Sequence, residues 1–315
     1  MLRPSLFAST VALALFGWLA PSLSFSADEP KTRVGIIGLD TSHVVAFTKV
    51  LNNPEAKGDL AGFKVVAAYP GGSPDVASSR DRSEGFTKQL RDDLGVEIVD
   101  SVDALIEKVD VVLLESVDGR PHLKQVEPVL KAHKPVFVDK PAAGSLADVV
   151  RIFELAEKYG TPCFSSSSLR FSPAIQALRT DSKLGDLTGC DAYGPCSLEE
   201  HHPDLFWYGI HGVEVLFTVM GPGCETVSRT QTEGTELVTG TWTDGRVGTF
   251  RGIRKGKLDY GALAFGTKGI LLGQGSGGYE PLVVEICRFF RSGKPPVSAA
   301  ETIEIYTFME AADES

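Results

Sequence analysis

Val34–His43 reads VGIIGLDTSH. It runs from an apolar, β-branched stretch through a glycine turn into residues that favour helix starts. The run Val34–Gly38 predicts a strand and Ser42–Asn53 a helix, which is the opening unit of a parallel α/β sheet. In the dinucleotide-binding form of this turn, G-x-G-x-x-G, the second glycine lets the backbone approach a pyrophosphate and the third lets helix pack on strand. Here Gly38-Leu39-Asp40-Thr41-Ser42-His43 either lacks the second and third glycines or has a turn shorter by about three residues. Asp40, Thr41 and Ser42 are all good helix-capping residues, and an anion there suits the helix dipole. Asp40 therefore reads as a built-in substitute for a phosphate, capping the helix.

The same rhythm continues outward. Further apolar runs at Lys64–Tyr69, Glu97–Val99, Val109–Glu115, Pro135–Val138 and Pro162–Ser165 predict parallel strands. Helices are predicted at Val102–Lys108, Pro121–His133 and Leu146–Tyr159, the last with Ser145 as N-cap and Gly160 as its stop. This gives a Rossmann-type doubly wound parallel sheet over residues 32–168. Beyond Phe171 the pattern becomes one strong helix, Phe206–Met220, then alternating segments from TVSRTQT to GILLG with a hairpin turn at Thr241–Gly245. Helices at Pro281–Ser292 and Glu301–Ala312 close the chain. Residues 169–315 thus read as an α+β domain with an open, mainly antiparallel sheet.

The 315 residues carry 41 Asp and Glu against 31 Lys and Arg, a net charge of −10. That balance argues against nucleic acid or an anionic membrane as partner, since both need clustered basic residues. Residues 1–26, with Arg3, the apolar run Ala8–Ala20 and the small residues Ser24 and Ser26, read as a Sec-type secretory signal. The mature chain is expected to be exported, periplasmic or extracellular. Cys163, Cys190, Cys196, Cys224 and Cys287 form no C-x-x-C pair; Cys190 and Cys196 read as buried small side chains, with pairing across a hairpin as the alternative. The cluster Glu199, Glu200, His201, His202 and Asp204 reads as a polar loop beside the cleft helix, and no metal is assigned to it.

These stretches together resemble the Gfo/Idh/MocA oxidoreductases, named for glucose–fructose oxidoreductase and inositol 2-dehydrogenase. The resemblance is carried by VGIIGL at Val34, VDVVLLESVDGRPHLKQVEPVLKAHKPVFVDKP from Val109, SSSLRFSP from Ser166, GIHGVEVLFTVMG from Gly209 and GTKGIL from Gly266. It implies hydride transfer between NAD or NADP and a hydroxyl carbon of a sugar or cyclitol. It also implies a carbohydrate-like small-molecule substrate and homo-oligomers formed through the open face of the second sheet. Lys140 falls on the family's lysine that bonds the reacting hydroxyl beside the nicotinamide. His211 falls on its proton-relay histidine, and Glu214, three residues on along the same helix face, is placed to orient that imidazole.

Gly35, Gly38, Asp40, Thr41, Ser42, His43, Tyr69, Ser116, His122 and Lys140 are the candidate cofactor residues. Arg170, His202, Trp207 and His211 are the candidate substrate residues. Three positions depart from the family: the phosphate turn, the end of the second strand (Tyr69-Pro70-Gly71-Gly72-Ser73, with no carboxylate before Asp75), and Trp207 where the family has its catalytic aspartate. The alternatives on the same scaffold are a non-redox sugar lyase, hydratase or hydrolase, and a carbohydrate-binding protein.

Overall fold

The computed structural model describes residues 31–315; the secretory stretch expected at residues 1–26 lies outside them. The first sheet is built from β1 (Thr32–Ile37), β2 (Phe63–Tyr69), β3 (Glu97–Ile98), β4 (Val111–Leu114), β5 (Val136–Val138) and β6 (Cys163–Ser165). Their order is β3-β2-β1-β4-β5-β6, and every pair is parallel. The order reverses at β1, which is flanked by β2 and β4. In such sheets ligands bind outside the carboxyl ends of the strands at that point.

The covering helices are α1 (His43–Leu51), α2 (Ala77–Lys88), α3 (Val102–Ile106), α4 (His122–Lys131) and α5 (Leu146–Tyr159). The α5 ends are those read from the sequence: Ser145 Oγ accepts from the Asp148 amide, and Gly160 is left-handed at φ 61°. α2 was not foreseen, for a physical reason. Its sequence, ASSRDRSEGFTK, has almost no apolar face, and its one buried residue is Ser79.

The second sheet contains β7 (Leu187–Pro195), β8 (Cys224–Gln231), β9 (Thr235–Trp242), β10 (Val247–Ile253), β11 (Gly261–Gly266) and β12 (Ile270–Gln274). The order is β12-β11-β7-β10-β9-β8, antiparallel except for the parallel pair β7–β10. β7 sits in the middle of this sheet yet gave no clear signal, because LTGCDAYGP carries two glycines and a proline. Its Gly189 is where the Val247 carbonyl comes close, and its Gly194 is where the Tyr260 ring does. Cys190 lies on β7 and Cys196 just past its end, so no hairpin separates them; all five cysteines are free.

Helix α6 (Pro173–Thr180) leads into this half, and α7 (Ile210–Met220) lies on the second sheet with every residue buried. The helix expected from Phe206 instead begins as a wider turn, Leu205–Gly209, before α7. The chain then doubles back. Helix α8 (Glu280–Ser292) packs Leu282, Val283, Ile286 and Phe289 into the apolar cluster of Phe47, Phe137 and Phe164 beneath the first sheet. Helix α9 (Ala299–Glu314) contacts both α5 and β8. Among the described residues, no helix is long and apolar enough to cross a membrane.

Candidate active site

The carboxyl ends of β1 and β5, the start of α2 and the segments around α7 and β11 enclose a cavity of about 540 Å³. Thr41, Ser42 and His43 bring the amino end of α1 to its wall, where unpaired amides and the helix dipole favour negative charge. Lys140 follows β5. Its own amide donates to Asp139 Oδ1 at 2.8 Å, while Asp139 Oδ2 lies 2.5 Å from His43 Nδ1. The Lys140 ammonium therefore lies in no ion pair with its neighbour but sits 5.5 Å from the centre of the Tyr208 ring. Burial pushes its pKa down, and the nearby Arg82 charge adds to that, against the pull of Asp139.

His211 is 8% exposed and lines the same cavity from α7. Its Nδ1 lies 2.7 Å from Ser167 Oγ, and its ring packs edge-on against Tyr208 and Tyr260. Burial, then the charges of Lys140 and His43, hold its pKa well below the ordinary 6.5. The imidazole is thus neutral at neutral pH, with Nε2 free of any protein hydrogen bond among the described residues. Trp207 joins the wall, its ring 4.9 Å from that of His202.

Glu214 does not orient His211. Its Oε1 accepts from Ser166 Oγ and from Arg170 Nε, both at 2.6 Å, and Arg170 Nη1 reaches Glu301 on α9 at 2.8 Å. Spacing on one helix face misled here because α7 is buried on all sides, so each face meets a different neighbour. Arg170 accordingly serves that buried network and borders a separate groove with Phe171 and Glu280, away from Lys140. His202 is also out of the cavity: its Nε2 lies 3.0 Å from Asp118 and its Nδ1 2.9 Å from Glu199. Asp204, two turns before His211, pairs instead with Arg229 at 2.7 Å. Glu199, Glu200 and His201 bring ligand atoms close together, but Glu199 already accepts from both histidines.

The cofactor candidates divide. Thr41, Ser42, His43 and Lys140 line the cavity; Gly35, Gly38, Asp40, Tyr69, Ser116 and His122 do not. Gly35 faces Leu105 and Val109 in the core. Gly38, at φ 87°, lies against the backbone of Ser116, where no side chain fits. His122 is fully buried with Nε2 2.8 Å from the Ser116 carbonyl and Nδ1 3.2 Å from that of Ala142. Ser116 donates to Gln125, and the Tyr69 carbonyl accepts from the Gly38 amide.

Asp40 corrects the reading of the turn. It does not cap α1: the cap position is Ser42, which makes no side-chain bond, and the His43 amide has only Thr41 Oγ1 at 3.5 Å. Asp40, completely buried, instead accepts from the Val117 amide at 2.8 Å and from Ser79 Oγ of α2 at 2.6 Å. It bridges the loops after β1 and β4 to α2. The residues missed by sequence reading are Arg82 and Ser78 on α2 and the ring wall of Tyr208, Tyr260 and Tyr279. Only α2, once recognised, would have pointed to the first two.

A parallel sheet of order 3-2-1-4-5-6, with a lysine after β5 facing a histidine of α7 across one cavity, defines a Rossmann-fold protein with a cleft at the ligand-binding edge of its sheet. Residues 32–167 match the GFO_IDH_MocA model, the oxidoreductase family with an NAD-binding Rossmann fold, so this part of the chain is similar to the Gfo/Idh/MocA oxidoreductases. It is 30% identical over 173 residues to YceM of Salmonella typhimurium, which carries an oxidoreductase name; the match spans 53% of this chain and half of that one. Scyllo-inositol dehydrogenase from Lactobacillus casei, solved with NAD(H) and scyllo-inositol, has the same fold at TM-score 0.73 and 16% identity, over 90% of this chain and 96% of that one. GenD2 from gentamicin A biosynthesis, solved with NAD, superposes at TM-score 0.71 and 15% identity over 91% and 94%.

The residues fit one end of a dinucleotide and not the other. Its phosphates and nicotinamide find the amino end of α1 and Lys140 in the cavity wall. The adenosine ribose belongs at the end of β2, where an acidic residue normally holds it. There Asp75 is engaged by Arg120, at 2.9 and 3.0 Å, and Arg120 reaches Asp118 at 2.7 Å. Gly71 abuts Gln125 and Gly38. In this conformation the crevice between the β2 and β4 loops is filled by the chain's own side chains.

Proposed function

We propose that the protein is an exported oxidoreductase acting on a hydroxyl of a carbohydrate-like polyol held in the Lys140–His211 cavity. Residues 32–168, with α8 packed beneath their sheet, form its cofactor side, and the second sheet with α7 its substrate side. The observation that carries the reading is the convergence of an unpaired lysine and a neutral histidine on one cavity, from two different sheets' elements. A cationic Lys140 donates to the substrate hydroxyl oxygen and stabilises negative charge as it develops. Neutral His211 accepts the hydroxyl proton at Nε2, held in place by Ser167 at Nδ1. Trp207 and the tyrosines offer flat faces to a sugar ring. NAD(P) would supply the hydride acceptor, and its adenosine end does not fit the closed crevice.

That closed crevice favours a second reading: the same proton chemistry without hydride transfer, as in a polyol lyase or hydratase. Calorimetric titration of the purified protein with NAD+ and NADP+, beside polyol turnover followed by NADH or NADPH formation, separates the two. Binding with NAD(P)-linked turnover that Lys140→Ala lowers by about 10²-fold or more supports the first reading. Turnover without any bound dinucleotide supports the second, and full activity in Lys140→Ala defeats both.

A further inference from the structure

The chain is acidic overall, yet among the described residues no Asp or Glu lines this cavity. Besides His43, whose imidazole is tied to Asp139, the charged side chains in its wall are both cations, Arg82 from α2 and Lys140 from the end of β5. The acids nearby are turned away: Asp40 is held by Val117 and Ser79, and Asp139 by His43 and the Lys140 amide. Arg82 uses Nε on the Ser78 carbonyl at 2.5 Å, which fixes the side chain and leaves its two terminal nitrogens without a carboxylate among the described residues. Lys140 feels Arg82 as a like charge that lowers its pKa. The amino end of α1 faces the same space, and Thr41, 6% exposed, presents a hydroxyl that donates to no group among the described residues. Two cations and a spare donor, with no competing acid in the wall among the described residues, form a receptor for an anion.

We infer that the ligand of this cavity is acidic: a polyhydroxylated molecule with a carboxylate or phosphate held by Arg82 and the Thr41 hydroxyl, its reacting hydroxyl reaching Lys140 and His211, while the amino end of α1 is left to the cofactor's phosphates. The inference rests on the cavity being the substrate site. A planar guanidinium binds either anion through two parallel hydrogen bonds, which a neutral sugar does not match.

The test compares glucose with glucuronate and glucose 6-phosphate by calorimetry, on the purified protein and on Arg82→Gln. At least one acid is expected to bind about tenfold tighter than glucose, the size of one charge-assisted hydrogen bond. Arg82→Gln should abolish that preference, while Arg80→Gln, on the same helix but outside the cavity, should keep it. Which acid wins tells carboxylate from phosphate. Equal binding of acid and neutral sugar, no binding of any of the three, or a preference that survives Arg82→Gln overturns the inference. So does NAD+ binding that depends on Arg82 with no preference for acidic sugars, since it assigns Arg82 to a cofactor. Failure of the site reading shows separately, as turnover unaffected by Lys140→Ala.

Discussion

Glu115 stands at the end of β4, completely buried, with neither carboxylate oxygen hydrogen-bonded. Burial pushes its pKa well up, and the negative charges of Asp139 and Asp40 push the same way. Both effects favour its neutral form. A folded-state pKa above the unfolded one means full stability below the unfolded value, lost as pH rises through the folded value. Glu115→Gln, which cannot ionise, should escape that loss. Its melting temperature relative to the parent is expected to rise between pH 6 and pH 9, by roughly 2–4 °C for each kcal/mol recovered. A gap that stays constant with pH refutes a raised Glu115 pKa. At this scale the sequence showed the residues whose place follows from the strand ends, Lys140 after β5 and Thr41–His43 after β1. It did not show partners. Asp40 with Val117 and Ser79, or Glu214 with Arg170, are contacts across 39 to 77 positions, which local periodicity does not encode.

Helix α7 carries the site's histidine, and its distance from the second sheet is set by a missing side chain. A Cβ on Gly212 would overlap the Phe250 ring on β10. The small residue next to His211 thus lets helix and sheet meet closely enough to seat the imidazole against Ser167. Gly212→Ala should destabilise by about 1–3 kcal/mol through overpacking and lower turnover by displacing His211. Adding Phe250→Leu should recover part of both, measured by chemical denaturation and kcat. No recovery in the double variant would mean that the close approach is not what Gly212 provides. Elements with strong periodicity, such as α5 and the parallel strands, were readable because burial selects their pattern. β7 and α2 were not, since backbone approach in one and polar bridging in the other hold them in place.

Across the whole molecule, one network ties three segments distant in sequence: Asp75 after β2, Asp118 and Arg120 after β4, and Glu199–His202 before α7. Arg120 grips Asp75 and Asp118, His202 reaches Asp118 and Glu199, and His201 approaches Asp75 at 3.6 Å. Burial would raise the Asp118 pKa, but hydrogen bonds from His202 and Arg120 outweigh it and hold the carboxyl well below its usual range. Its stabilising effect is thus present above the unfolded value near 3.8 and lost as pH falls below it. Because the network also fills the crevice at the end of β2, its removal acts on two observables at once. Arg120→Ala should flatten the decline of melting temperature as pH falls below about 4. It should also tighten NAD+ binding by about tenfold or more if the ion pairs are what closes the adenosine end, since a dinucleotide then no longer has to displace them. An Arg120→Ala protein with the flatter acid limb and unimproved NAD+ affinity would leave Asp40 and its bridge to Ser79 as the barrier, and Asp40→Gly would then be the substitution that opens the site.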